Sequence, residues 1–408
     1  MDKKVIPLLP QDQWRPIHNV RSLVFFLVRE VLDQELMRNS LDTLIKEHLP
    51  ILGARLQQRK DGGLEYHFET PFPENHHLFS WSSSSVSSTI EEARLVPDQD
   101  TARDKIIFSA NLNALESHWV PSDWPLQRNL EKPDTPLLLV HLTRYTNATV
   151  VGTNLPHCVS DQMGYGSVIR AWIQVMRGKQ PAPFLNPAPE EFQAREEFSM
   201  KELRKKGTFR LKTKGEKTRT LMGIVPELIK HPKEERKTIF FPVDVVQGLK
   251  ERWDESLKAE YGVDVPSITN GDVIVGVLTK MANIHRKAPK MNSVTGPANF
   301  RGLHPCLPKS SPYLHNAISF CTTRLPISRA TPASEIAYRW RLAVLEAVQP
   351  AYVERSQAVL REMYEKKAMS SFIMSKAEGG YWIDFAANTK GMGLIEELLA
   401  KDPLLETL

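Results

Sequence analysis

Two apolar strands and an amphipathic helix, with one short polar loop between them, fix more about this chain than any other stretch. Leu137–Tyr145 and Ala148–Thr153 read as strands joined at Thr146-Asn147, and the second runs into Pro156-His157-Cys158-Val159-Ser160-Asp161. Gln162–Met176 then reads as a helix, with Met163, Ile169, Trp172, Ile173 and Met176 on one stripe and Ser160 or Asp161 as its N-cap. That order commits the region to an α/β layer, because the helix must bury its stripe on the sheet. The loop then lies at the carboxyl end of a strand, where such sheets present their chemistry.

The 408 residues exceed what one core usually holds, so two domains are expected. Upstream, Ser40–Leu49 reads as a capped amphipathic helix, Pro50–Leu56 as the start of a strand, and Asp61-Gly62-Gly63 as a hairpin turn into Leu64–Phe68. Trp81–Ser88 is serine-rich and reads as a solvated loop. Gln180–Arg236 opens proline-rich and carries a basic run over Lys201–Thr220, which suits a long crossover. The expected boundaries are therefore 1–179, a linker 180–236, and 237–408. In the last segment Thr238–Phe241 and Ala317–Leu325 read as strands. Asp244–Trp253, Asn270–Ile284, Ala333–Ala347, Glu354–Lys367 and Ile395–Leu408 read as helices.

Composition narrows the function classes. A net charge of +5 permits attraction to a phosphorylated ligand but does not point to nucleic acid. No apolar run is long enough to span a bilayer, and Met1-Asp2-Lys3-Lys4 leads into Pro7 and Pro10 without a signal core, so a cytoplasmic location is expected. Cys158, Cys306 and Cys321 are scattered and show no metal spacing; they read as free thiols, Cys158 and Cys306 as packing residues before catalysts.

Among the 12 histidines, His157 alone has an aspartate four residues later. A histidine at that place suits general-base work near neutral pH. The bland alternative is a strand-end histidine whose ring is satisfied by backbone. Cys158 and His157 diverge on an extended backbone, no Gly-x-Ser-x-Gly elbow occurs, and no P-loop, dinucleotide or zinc pattern is present.

The order of motifs resembles the BAHD acyl-CoA-dependent acyltransferases, especially their fungal members. Pro50-Ile51-Leu52-Gly53-Ala54-Arg55-Leu56 is similar to the family's early strand, and His157–Asp161 to its His-x-x-x-Asp. Ser267-Ile268-Thr269-Asn270-Gly271-Asp272-Val273 resembles the segment opening the second-domain helix. Asn299-Phe300-Arg301-Gly302-Leu303, Pro305-Cys306-Leu307-Pro308 and Tyr313-Leu314-His315-Asn316-Ala317 resemble the block that follows. The family's late Asp-Phe-Gly-Trp-Gly is represented only by Asp384-Phe385, which bears on the CoA side of the channel.

The resemblance implies two chloramphenicol-acetyltransferase-like α/β domains joined by the crossover, with a channel at their interface. His157 would be the general base, without an acyl-enzyme. Asp161, facing away from the channel, would pair with Arg301 in a structural role. Acyl-CoA would be a cosubstrate with no bound cofactor or metal, Ser267 and Thr269 would contact the CoA arm, and Lys205, Lys206 and Lys214 its phosphates. The acceptor would be a small secondary-metabolite alcohol or amine, and the protein a monomer with no nucleic-acid or membrane partner. A second reading is a relative that binds or cyclises a ligand in the channel without CoA. A third, condensation of carrier-bound acyl groups, fits less well because Pro156 stands where those sites carry a second histidine.

Overall fold

The computed structural model describes residues 2–13, 17–96, 105–109, 112–186, 197–213, 234–365, 375–377 and 380–408, with positions 215, 216, 218, 219, 222, 225 and 229. In chain order the strands are β1 (Asp2–Pro7), β2 (Arg21–Val28), β3 (Arg55–Gln58), β4 (Leu64–Thr70), β5 (Ser80–Ser85), β6 (Ile107–Ser109) and β7 (Leu139–Arg144). They continue as β8 (Thr149–Pro156), β9 (Glu234–Pro242), β10 (Lys290–Asn299), β11 (Ile318–Ile327), β12 (Ser375–Ala377) and β13 (Gly380–Asn388). The α-helices are α1 (Pro10–Gln13), α2 (Gln34–Thr43), α3 (Leu112–Trp119), α4 (Gln162–Met176) and α5 (Met200–Leu203). They continue as α6 (Val243–Tyr261), α7 (Asn270–Ala282), α8 (Ala333–Ala347), α9 (Pro350–Glu365) and α10 (Thr389–Lys401).

Two α/β layers result. The first sheet has the order β2-β8-β7-β5 and is antiparallel except for the parallel β5–β7 pair. Every residue of β8 is buried, which explains its near-continuous apolar run. Leu41, Leu44 and Ile45 join Leu142, Val151, Tyr165, Val168 and Trp172 in the core on which α2 and α4 pack. The second sheet has the order β12-β13-β9-β6. Ile239, Phe241 and Ile383 meet Val246, Leu249, Val273, Val277 and Ile395 in a separate core. The smaller sheets are β1-β4-β3 and the β10-β11 hairpin.

The two layers exchange parts. Strand β6, from the first half of the sequence, pairs antiparallel with β9 of the second sheet, Phe108 opposite Ile239. Ile106 N–H donates to the Pro403 carbonyl at 3.3 Å. Helix α1 packs against α9.

The first half departs from the sequence reading in three places. The early helix starts earlier than Ser40: Asp33 caps α2 by accepting from Glu35 N and Leu36 N, and a π-helical turn over Leu44–His48 ends the segment. Pro50–Gly53 is a 3-10 turn, so the strand begins only at Arg55. The serine-rich segment is no loop. It forms β5, where Ser82 Oγ and Ser84 Oγ bond the Nδ1 and Nε2 of buried His141 on β7 at 2.8 and 3.1 Å. Serine is a poor strand former by propensity, but cross-strand pairing overrides it. Near the C-terminus the helix is α10, ending at Lys401, and the Asp384-Phe385 segment lies within β13.

Candidate active site

His157 sits where β8 ends. Pro156 still pairs with Arg21 on β2, and His157 N–H donates to the Val20 carbonyl at 2.9 Å. Val159 N–H closes a tight turn onto the Pro156 carbonyl at 2.9 Å. Asp161 ends the turn with φ −80° and ψ 174° and caps α4, its Oδ1 accepting from Met163 N at 3.0 Å and Gly164 N at 2.9 Å. Its Oδ2 accepts from Arg301 Nη1 at 2.9 Å and from Ala317 N at 2.8 Å. One buried carboxylate thus serves four donors, two on its own helix and two on the distant 301–317 segment.

That segment straps the loop along its length. Ser160 Oγ donates to the Leu314 carbonyl at 2.6 Å, and His315 Nδ1 lies 3.1 Å from the Val159 carbonyl. Asn316 Nδ2 donates to the His157 carbonyl at 3.0 Å. The approach is close enough that a Cβ on Gly164 would lie 2.0 Å from the Leu314 carbonyl oxygen. Burial pushes His315 down to about 4, so its ring is neutral at ordinary pH, with Nδ1 the donor to Val159 by assignment from its partner.

The strap is anchored in turn by Asp12 on α1. Its Oδ1 accepts from Asn316 N at 3.1 Å and from Asn316 Nδ2 at 2.7 Å. Asp12 is 1% exposed, and burial pushes its carboxyl up to about 8 although both Asn316 bonds work the other way. Nothing in the sequence pattern singles out Asp12. A lone acid in a proline-flanked segment reads as surface, and only its partner Asn316 lies in a motif block.

The His157 ring is half-buried. Its Nδ1 is buried and has no hydrogen-bond partner, while Nε2 is the ring nitrogen left open. The ring is therefore placed by packing and by its backbone clamps. Cys158 is fully buried, and burial pushes its thiol up to about 12, which keeps it protonated and a poor nucleophile. Cys321 is buried and pushed up to about 12 for the same reason.

Arg301 reaches beyond Asp161. Its Nη1 also donates to Asn299 Oδ1 at 3.1 Å, its Nη2 to the His315 carbonyl at 2.5 Å, and its guanidinium lies 5.5 Å from the Tyr313 ring centre. A cleft of about 410 Å³ opens beside this pair, lined by Ser167, Arg170, Arg301, Lys309 and Tyr313 among others. His157 does not line it.

The structure thus brings His157, Asp161 and Arg301 together. Ser267 and Thr269 lie elsewhere, exposed at the N-terminus of α7. Ser267 Oγ donates to Asp254 Oδ2 at 2.5 Å, and Thr269 forms a capping box with Asp272. Lys205 and Lys206 are exposed, and Lys214 lies outside the described residues. Among the described residues no group of acids, histidines and cysteines could hold a metal ion, and no helix is long and apolar enough to cross a membrane.

No protein-family model matches the chain. The acetyltransferase BOT5 of Botryotinia fuckeliana is 26% identical over 383 residues, covering 89% of this chain and 69% of its own. The acetyltransferase pyiB of Pyricularia grisea is 26% identical over 386 residues, covering 90% and 75%. One further match, named transcriptional regulator calD, of Penicillium decumbens, is 23% identical over 426 residues, covering 98% and 85%. Among solved structures, TRI101 of F. graminearum complexed with coenzyme A and T-2 mycotoxin superposes with a TM-score of 0.66 at 12% identity, covering 97% of both chains. At that identity the superposition speaks to the fold.

Proposed function

We propose that the chain is a BAHD acyl-CoA-dependent acyltransferase of the fungal type and that His157 is the general base of its transfer reaction. The coarse activity, acyl transfer from acyl-CoA to a small acceptor, agrees with the relatives named acetyltransferases. The residue-level reading rests on one observation: a half-buried histidine at the end of β8, clamped by its backbone, with Nε2 open and Nδ1 turned inward.

In this reading the acceptor hydroxyl or amine gives its proton to His157 Nε2 as its heteroatom attacks the thioester carbonyl. The tetrahedral adduct collapses, the carbon–sulfur bond breaks, and the imidazolium returns the proton to the leaving CoA sulfur. Transfer is direct, with no acyl-enzyme; the protonated Cys158 thiol supports this. Holding both substrates together supplies much of the acceleration, and a positioned base contributes about 10²–10⁴-fold. Asp161 and Arg301 are assigned a structural part, because all four bonds of the carboxylate go to backbone or guanidinium and none to His157. Ser267 and Thr269 remain candidates for the CoA arm; their exposure supports this, while their bonds to Asp254 and Asp272 mean that a ligand would compete for the hydroxyls.

CoA release from acetyl-CoA and longer acyl-CoAs, in the presence of a panel of hydroxylated and aminated metabolites, tests the proposal. Acceptor-dependent release that His157→Ala abolishes supports it. Absence of release with every pair, together with no calorimetric CoA binding, overturns it in favour of a channel used without CoA.

A further inference from the structure

We infer that Asp12 is a positioning residue for His157, acting through Asn316. The His157 side chain makes no hydrogen bond, so the place of its ring follows from its backbone. That backbone is held at two points, the N–H by the Val20 carbonyl at 2.9 Å and the carbonyl by Asn316 Nδ2 at 3.0 Å. The second clamp is only as good as the orientation of the Asn316 amide, which is 2% exposed and whose Oδ1 has no partner.

Asp12 fixes that orientation. The two hydrogens of Asn316 Nδ2 go to two acceptors, Asp12 Oδ1 at 2.7 Å and the His157 carbonyl. Turning the amide over would set its oxygen against the His157 carbonyl and take the Nδ2 donor away from it. Asp12 also holds the Asn316 backbone N–H at 3.1 Å, which locks the strap residue as well as its side chain. Without the carboxyl, a buried donor loses its partner and the amide loses the reason for its rotamer. The effect on His157 is indirect, since the hydrogen bonds of the Asp12 carboxyl go to Asn316 and none to His157.

The inference rests on reading His157 as the base, so its test has one readout that needs no turnover. Full-length wild type, Asp12→Ala, Asp12→Asn and Asn316→Ala are treated with diethyl pyrocarbonate at neutral pH, and carbethoxylation of His157 is timed by peptide mass spectrometry. The exposed His77 and His118 serve as internal controls. In Asp12→Ala and Asn316→Ala the rate at His157 shifts by at least about threefold while both controls hold, since local structure governs access to the ring. Asp12→Asn, which keeps an acceptor oxygen, stays near wild type. In parallel, with an accepted alcohol, kcat falls about tenfold or more in the alanine variants with KM for acetyl-CoA little changed, and Asp12→Asn recovers most of it.

An unmoved His157 rate in folded alanine variants overturns the inference, even if their melting temperatures drop, because that is the signature of a merely structural role. If Asp12→Ala does not fold, Asn316→Ala carries the same readouts with the carboxyl in place. A shifted His157 rate in a protein that releases no CoA leaves the positioning role standing and removes the acyltransfer reading instead.

Discussion

At His157, Asp161 and Asp12 the site is held by different physics, and each residue answers differently to substitution. His157→Ala removes a ring without hydrogen bonds, so loss of turnover by about 10²–10⁴-fold is expected with little change in the circular-dichroism melt. Asp161→Ala strands a largely buried guanidinium and takes away the α4 cap. A loss of about 3–5 kcal/mol is expected in a denaturant titration, and Arg301→Ala should cost about as much by leaving the carboxylate buried and unpaired. Asp12 sets a pH dependence. Its folded carboxyl is raised to about 8 from 3.8, so the folded state holds a proton that the unfolded state gives up. That stability is full below the unfolded value and is lost as pH rises through about 8. His315 works oppositely: depressed to about 4 from 6.5, it makes stability fall as pH drops between those values. Between pH 6.5 and 8 Asp12 acts without His315. Melting temperature should therefore decline across that window in wild type and decline less in Asp12→Asn.

Elements decide how closely the strap can lie on the loop. Gly164 and Gly166 share the first turns of α4 but not their surroundings. A methyl at Gly164 would drive into the Leu314 carbonyl, whereas at Gly166 it meets only Arg170 Nη1 at 3.5 Å. Gly164→Ala is expected to lower both stability and turnover. Gly166→Ala should be neutral or stabilise by about 0.5–1 kcal/mol, since this half-buried helix position leaves room for a methyl. Paired thermal melts separate the two. The boundary between β8 and α4 was legible in the sequence because an unbroken apolar run meets a helical stripe there, and both follow from burial. β5 was not legible, since Ser82 and Ser84 earn their strand by reaching His141, a long-range contact that no local pattern carries. Asp12 was hidden for a related reason: a single buried carboxyl leaves no periodicity. The Asn316 block was visible only as a family resemblance, without its direction toward the His157 carbonyl.

Over the whole molecule, the two α/β layers are cores of their own, yet they are laced together by β6, by α1 and by the strap. We propose 1–179 and 237–408 as the two domains with 180–236 as the crossover, but not as independent folding units. Full-length protein should melt in one transition, and residues 1–179 expressed alone should lack the fixed His157 loop, as read by fast amide exchange at Val159 and Tyr165. The loop also has a bearing on how such chains can be recombined. Its histidine comes from one half of the sequence and its scaffold, Arg301 and Leu314–Ala317, from the other. A hybrid joined within the crossover inherits the His157 ring from one parent and the mould that shapes its loop from the second. Parents whose strap residues differ should yield folded hybrids with misplaced chemistry, so exchange of activity between relatives is expected to succeed only when residues 301–317 travel with the first half.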